Sequence, residues 1–266
     1  MTRKLRSTTR AKLPAILAVA LLLLLWQGVS ALGLVPRYML PSPAEVLLVF
    51  LKDAPALWEN LLVTLQEALV GLGLGVSLGF LFAVLMDAFE VLYRAVYPIL
   101  VITQTIPTVA IAPLLVLWFG YEMTPKVILV VLVTFFPVTV GLLDGFRSVD
   151  QDAVGLLRSM GASRFQIFRY LKCPSALPQF FSGLRIAAAY SVVEAVISEW
   201  LGGFLGLGVY MTRVKKAFAF DKMFAVIFLI SAISLLLMAL VDLAERKSMP
   251  YRHLRTKQPS DEEKEL

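Results

Sequence analysis

FRSVDQDAVGLLRSMGASRFQIFRYLKCPSALP, residues 146–178, is a polar island between long apolar runs. Ser148-x-x-Gln151 and Ser163-x-x-Gln166 both have capping-box spacing, in which a serine and a glutamine satisfy the free amides of a first helical turn. Gly161 falls where the first helix must stop, a position that suits a left-handed residue. Pro174 and Pro178 are expected to end the second helix and lead into the next apolar run. The predicted shape is helix, sharp turn, helix, lying across a membrane surface. Phe165, Ile167, Phe168 and Leu171 supply apolar contact, and Arg158, Arg164, Arg169 and Lys172 supply a charged rim. Such an element either offers its large side chains to a pocket in another protein or rests on lipid headgroups.

The rest of the chain explains why the island stands out. Of 266 residues, 59% are hydrophobic and only 17% charged, with a mean hydropathy of +0.79. A soluble globule is nearer half apolar and a quarter charged. The excess falls in blocks long enough to cross a hydrocarbon core. The chain therefore reads as an all-α integral membrane protein with about six transmembrane helices. Residues 1–12 form a basic, polar lead, 13–244 the membrane domain with the island inside it, and 245–266 a charged tail. The first span covers Leu13–Val35; a cleaved signal peptide is disfavoured by its length and by the lack of a small-x-small site after it. A proline-rich loop follows, with a short surface helix from about Ala44 to Lys52.

The second span, about Glu59–Met86, carries Gly71, Gly75 and Gly79 on one face, which lets a neighbouring helix approach closely. The third, about Ala95–Phe119, contains Pro107 and Pro113 and is expected to be irregular. The fourth covers about Pro125–Leu143, the fifth about Phe180–Leu201 and the sixth about Met223–Leu243.

Lys and Arg gather in the lead, the turn at 87–94, the island and the tail. The positive-inside rule makes that side cytoplasmic, with both termini on it. Arg213, Lys215, Lys216 and Lys222 then lie outside, which suggests a surface helix in contact with something acidic. The net charge of +6 follows from these flanks and does not point to nucleic acid. One cysteine, Cys173, and one histidine, His253, leave an internal disulfide and a Cys/His zinc site out of reach. Without those residues, little nucleophilic or metal chemistry is available, and an enzyme is not expected.

The segment from Gly161-Ala162-Ser163-Arg164-Phe165 to Pro174 resembles the coupling loop of ATP-binding-cassette importer permeases, the EAA loop. Gly161, Leu171 and Pro174 fall in register with that pattern, whereas Gly155, Leu156 and Leu157 stand where the Glu-Ala-Ala triplet is usual. Residues 103–120, TQTIPTVAIAPLLVLWFG, resemble the third-span signature of the subgroup importing nitrate, sulfonates, taurine and thiamine-pyrimidine precursors. Gly183-Leu184-Arg185-Ile186, with Ser198-Glu199 later, is a third match, and the likeness extends over about 58–243.

The resemblance implies a type I importer permease in a bacterial inner membrane, two copies of which form the pore. Its coupling loop, with Gly161, Ala162, Ser163, Arg164, Phe165, Phe168, Arg169, Leu171 and Pro174, would insert into a cytoplasmic ATPase subunit. An extracytoplasmic binding protein would deliver the solute. The chain has no GxxxxGK[ST] run, so ATP and Mg belong to the partner and no cofactor is expected here. The wording Leu156-Leu157-Arg158-Ser159-Met160-Gly161 looks more like the pyrimidine-precursor permeases than the sulfonate ones.

Embedded polar groups either line a solute path or fix packing by pairing. Thr103, Gln104 and Thr105 stand beside the Pro107 break, and Arg185, Glu194 and Glu199 stand in the fifth span. These six are the candidate path. A self-sufficient secondary transporter would instead need an ion-coupling carboxylate pair. Glu194 and Glu199, five residues apart, point about 140° apart on a helix and suit that role poorly.

Overall fold

A computed structural model of the chain describes residues 2–36 and 38–249. The expected tail from 250 onward lies outside the described residues. Among them every regular element is helical. The order is α1 (Thr2–Ala31), α2 (Pro43–Lys52), α3 (Ala54–Ala88), α4 (Glu90–Thr103), α5 (Thr108–Phe119), α6 (Met123–Arg147), α7 (Gln151–Ser159), α8 (Arg164–Ile167), α9 (Cys173–Leu201), α10 (Leu207–Lys216) and α11 (Phe220–Ser248). Residues 2–12, read from sequence as a separate lead, are the first turns of α1.

Four helices among the described residues are long and apolar enough to cross a bilayer, and α4 with α5 makes a fifth if the bent pair is one span. The apolar part of α1, Ile16–Ala31, is shorter than these. Trp26 of α1 donates to the Pro41 carbonyl at 3.0 Å and stacks near Phe224 and Phe228, which fixes that end of α1 beside α2 and α11. The surface helix expected near residue 44 is α2, opened by a complete Ser42–Glu45 capping box.

α6 and α9 form the centre, and both are backed by small residues. A Cβ on Gly183 would strike the Pro137 carbonyl, and one on Gly145 would lie 2.6 Å from the Ala176 Cα. The glycine face of α3 behaves likewise. Gly71 meets Val130, Gly75 meets Thr134, and Gly79 meets Val138 across the α3–α6 contact. In lipid the hydrophobic effect does not drive helices together, so this close backbone approach carries the packing.

The third span departs from the expected single irregular helix. α4 and α5 meet at 98° across residues 104–107. Pro107 is extended (φ −61°, ψ 122°) and donates no hydrogen bond, so α4 stops ahead of it. Pro98 and Pro113 stay inside their helices, so position relative to the break, and not proline alone, sets the bend.

The fifth span also differs. Pro174 and Pro178 do not end the island's second helix. α8 passes through a π-helical turn, Phe168–Lys172, straight into α9, where Pro174 sits in the first turn and Pro178 lies inside the helix. The wider turn lies over the residues whose carbonyls Pro174, lacking an N–H, cannot bond.

At the end of the bundle away from the island, Asp53 accepts from Tyr210 Oη at 2.7 Å and pairs with Lys222 Nζ at 2.5 Å. The acidic partner expected for part of the basic 202–222 stretch is therefore in the same chain. α10 is no loose surface helix, since Leu207, Val209, Tyr210, Met211 and Val214 are buried. The Lys222 ammonium, then the Tyr210 hydroxyl, hold the Asp53 carboxyl below its usual range. Burial and the Asp53 carboxylate push the Tyr210 hydroxyl up.

Two outcomes follow from this packing. Gly183→Val should lower the melting temperature of the detergent-solubilised protein through an overpacking cost of about 1–3 kcal/mol, measured by fluorescence-detected thermal unfolding. For Asp53, a depressed native carboxyl pKa means stabilisation present above about pH 4 and lost as pH falls through the native value. Acid scans should show that loss in the parent chain and a smaller one in Asp53→Asn, which starts lower at pH 7.

Candidate functional site

The island forms a hairpin with its own small core. Val149, Val154 and Ile167 are buried, with Leu157, Ala162 and Leu171 against them. α7 starts at Asp150, whose carboxylate accepts from Asp152 N at 2.9 Å. Ser148 does not form the expected box: its hydroxyl donates to the Gly145 carbonyl at 2.9 Å, because α6 is still helical there. The second box does form, with Ser163 N donating to Gln166 Oε1 at 2.7 Å. Between them Gly161 turns left-handed at φ 84°. Gly161 N donates to Arg158 O and Ala162 N to Leu157 O, which closes α7 with a Schellman pattern.

This arrangement redistributes the expected contact residues. Ile167 is inside, Leu171 is half-buried in the same core, and Phe168 packs on Phe146 at 5.3 Å. Phe165, Arg164, Arg169, Ser163, Gly161 and Pro174 remain exposed, and Ala162 is partly covered. The outward apolar face is instead Leu156, Met160, Phe165 and Tyr170, each 64–75% exposed. Sequence reasoning missed Leu156, Met160 and Tyr170 because the inward face of each short helix is settled only when the two pack on each other.

The candidate path residues separate into two groups. Thr103 and Gln104 line a cavity of about 310 Å³ at the α4–α5 bend, with Pro107, Thr108, Ile111 and Leu132. Thr105 lies at the same bend with its hydroxyl donating to the Ile102 carbonyl at 2.8 Å. Glu194, buried in α9, faces Thr108, and its Oε1 has no hydrogen-bond partner among the described residues. Thr108 was not singled out by sequence, because only the fold brings it opposite Glu194.

Arg185 and Glu199, also expected on the path, lie apart from this cavity. Arg185 Nε bonds Asp242 Oδ1 at 2.7 Å and its terminal nitrogen reaches Glu245 Oε2 at 2.5 Å, so it ties α9 to α11. Glu199 is 1% exposed. It accepts from the Thr64 hydroxyl at 2.6 Å and from Gly208 N at 2.5 Å. Thr64 accepts in turn from Leu207 N at 2.8 Å, and Asn60 Oδ1 from Gly206 N at 2.9 Å. The carboxylate thus satisfies the first turn of α10, where free amides favour negative charge. Beside it, buried Lys126 donates to Glu67 Oε1 at 2.6 Å. Glu194 and Glu199 face different neighbours and form no carboxylate pair with each other.

Fold and site together define a membrane-embedded helical bundle that carries a surface hairpin at one end and a bent-helix cavity within. The chain matches the family of binding-protein-dependent transport system inner membrane components over residues 75–249. It is 40% identical over 230 residues to a probable ABC transporter permease protein of Haemophilus influenzae, covering 86% of this chain and 94% of that one. It is also 40% identical over 233 residues to the formylaminopyrimidine transport permease protein ThiX of Halalkalibacterium halodurans, covering 87% and 93%. A solved amino acid ABC transporter shares the fold, with a TM-score of 0.64 at 20% identity, over 75% of this chain and 97% of the other. The chain belongs to this family and is a multi-pass permease component of ABC importers.

Removing one partner of a buried ion pair leaves the other charge uncompensated. Lys126→Met should therefore destabilise the protein by about 3–5 kcal/mol. Adding Glu67→Gln should recover part of that loss, read as melting temperatures of the single and double variants.

Proposed function

We propose that the 146–178 hairpin is the coupling element of the permease, received in a groove of a cytoplasmic ABC ATPase subunit. The observation that carries this reading is the exposed apolar face of Leu156, Met160, Phe165 and Tyr170, rimmed by Arg158, Arg164 and Arg169 on a self-cored hairpin. Large side chains exposed on a stiff base are the anchors that a protein pocket buries. On this reading the hairpin side is cytoplasmic, with both termini there, and ATP and Mg are bound by the partner alone. Two copies of the chain form the pore, and an extracytoplasmic binding protein supplies the solute.

The path runs past Thr103, Gln104, Thr105 and Glu194. The cavity at the bend is lined by uncharged side chains, with a carboxylate next to it. That chemistry favours a solute rich in hydrogen-bond donors over a sulfonate, taurine or nitrate. With the likeness to the ThiX permease, it supports a pyrimidine-type vitamin precursor as cargo. ATP-driven closure of the partner would rock the spans and alternate the access of the path.

The test is co-purification of the tagged permease with its ATPase. Phe165→Asp should cut ATPase association by roughly 30-fold or more, the scale of losing an aromatic anchor of 2 kcal/mol or above. Membrane insertion should be unchanged. Normal association and normal uptake by this variant would remove the coupling role.

A further inference from the structure

We propose that the Lys172–Asp87 ion pair is a positioning link that carries hairpin motion to α4 and its bend. The inference rests on the hairpin being the ATPase-coupled element. Lys172 closes the π-helical turn at the hairpin's root. Its ammonium reaches both oxygens of Asp87, at 2.7 and 2.9 Å, across 85 residues of sequence. The pair is sheltered, with side chains only 25% and 12% exposed. A neighbouring surface pair, Arg94–Glu90, is 78% and 61% exposed and belongs to the class that contributes little.

Asp87 occupies a mechanically special place. It lies in the last turn of α3, and the chain breaks at Phe89 (φ −126°, ψ 103°) before α4 begins at Glu90. Holding Asp87 therefore holds the elbow on which α4 pivots. Two further contacts grip the same elbow. The Arg147 guanidinium lies 3.4 Å from the centroid of the Tyr93 ring and 3.8 Å from Glu90. Phe168, one turn before Lys172, packs at a tilt on Phe146, which shares a core with Tyr93 and Leu100. At the other end of α4, Thr103 Oγ1 donates to the Leu100 carbonyl at 2.6 Å, at the edge of the cavity. A 14-residue helix is a lever of about 21 Å. Displacing its elbow moves the bend, where Gln104 lines the cavity.

The test places a fluorescent reporter at Gln104→Cys in a Cys173→Ser background, in the permease–ATPase complex reconstituted in proteoliposomes. MgATP should change the reporter's emission in the parent complex. Asp87→Asn should retain ATPase association and hydrolysis but lose the reporter response about fivefold or more, the scale of a coupling change of this kind. The swap Asp87→Lys with Lys172→Asp should restore at least half of it. An undiminished response in Asp87→Asn overturns the inference, as does a swap that restores nothing. So does a variant that melts earlier while its response per ATP is unchanged, since that marks a purely structural pair. An ATPase that fails to bind the parent chain removes the coupling reading itself and takes the inference with it. Because association is measured first, the two failures are distinguishable.

Discussion

The structure depends on one unbroken rod. From Arg164 to Leu201 the backbone is helical for 38 residues, through a π-helical turn and past two prolines. A surface hairpin joined to the bundle by a flexible loop would absorb any push it received. Here the hairpin's second helix is the beginning of α9, so movement at the surface is movement of the bundle's central helix. The clamp that makes the rod useful is the α6–α9 contact. Gly183 against the Pro137 carbonyl and Gly145 against Ala176 leave no room for sliding without separation. Packed helices of this kind shift between discrete arrangements and do not deform smoothly.

The two ends of the bundle use buried polarity differently. At the hairpin end, sheltered Lys172 and half-exposed Arg147 sit where the chain turns and connect elements distant in sequence. At the opposite end, Asn60, Thr64, Glu67, Lys126 and Glu199 are nearly dry; Asn60, Thr64 and Glu199 satisfy the backbone of the α9–α10 connection, and Lys126 pairs with Glu67 beside them. Buried polar contacts of this sort rigidify, because an unpaired buried group is so unfavourable, although Glu67 Oε2 has no hydrogen-bond partner among the described residues. Glu194 also has one oxygen without a partner among the described residues, and it lies beside the α4–α5 bend, facing Thr108. An unsatisfied acceptor next to a cavity is where a polar solute has most to contribute.

Much of this was legible in the residues, for identifiable reasons. The apolar blocks, the glycine face at 71, 75 and 79, the box at Ser163 and the left-handed Gly161 all follow from local rules that tertiary contact did not overrule. Local rules misled where a helix had a stronger reason to continue. Pro174 and Pro178 read as stops, yet the first-turn position of Pro174 and the π-helical turn ahead of it let the helix run on. Ser148 read as a cap, yet α6 still occupied it. Arg185 and Glu199 stand out in the sequence as embedded charges, but the sequence does not name their partners. Asp242, Glu245, Thr64 and Gly208, which claim them, are 9 to 135 positions away. Spacing within one helix carries no information about such pairs.

The central claim is that the apolar face of the 146–178 hairpin is buried against a soluble motor subunit and not in lipid. Photo-cross-linking from benzoylphenylalanine placed at Met160, in the assembled complex within native membranes, tests it most directly. A covalent adduct with the ATPase subunit, weakened when nucleotide changes the complex, is the predicted result. Adducts with lipid alone, or protection of the probe from cytoplasmic reagents and exposure to extracytoplasmic ones, would contradict the account.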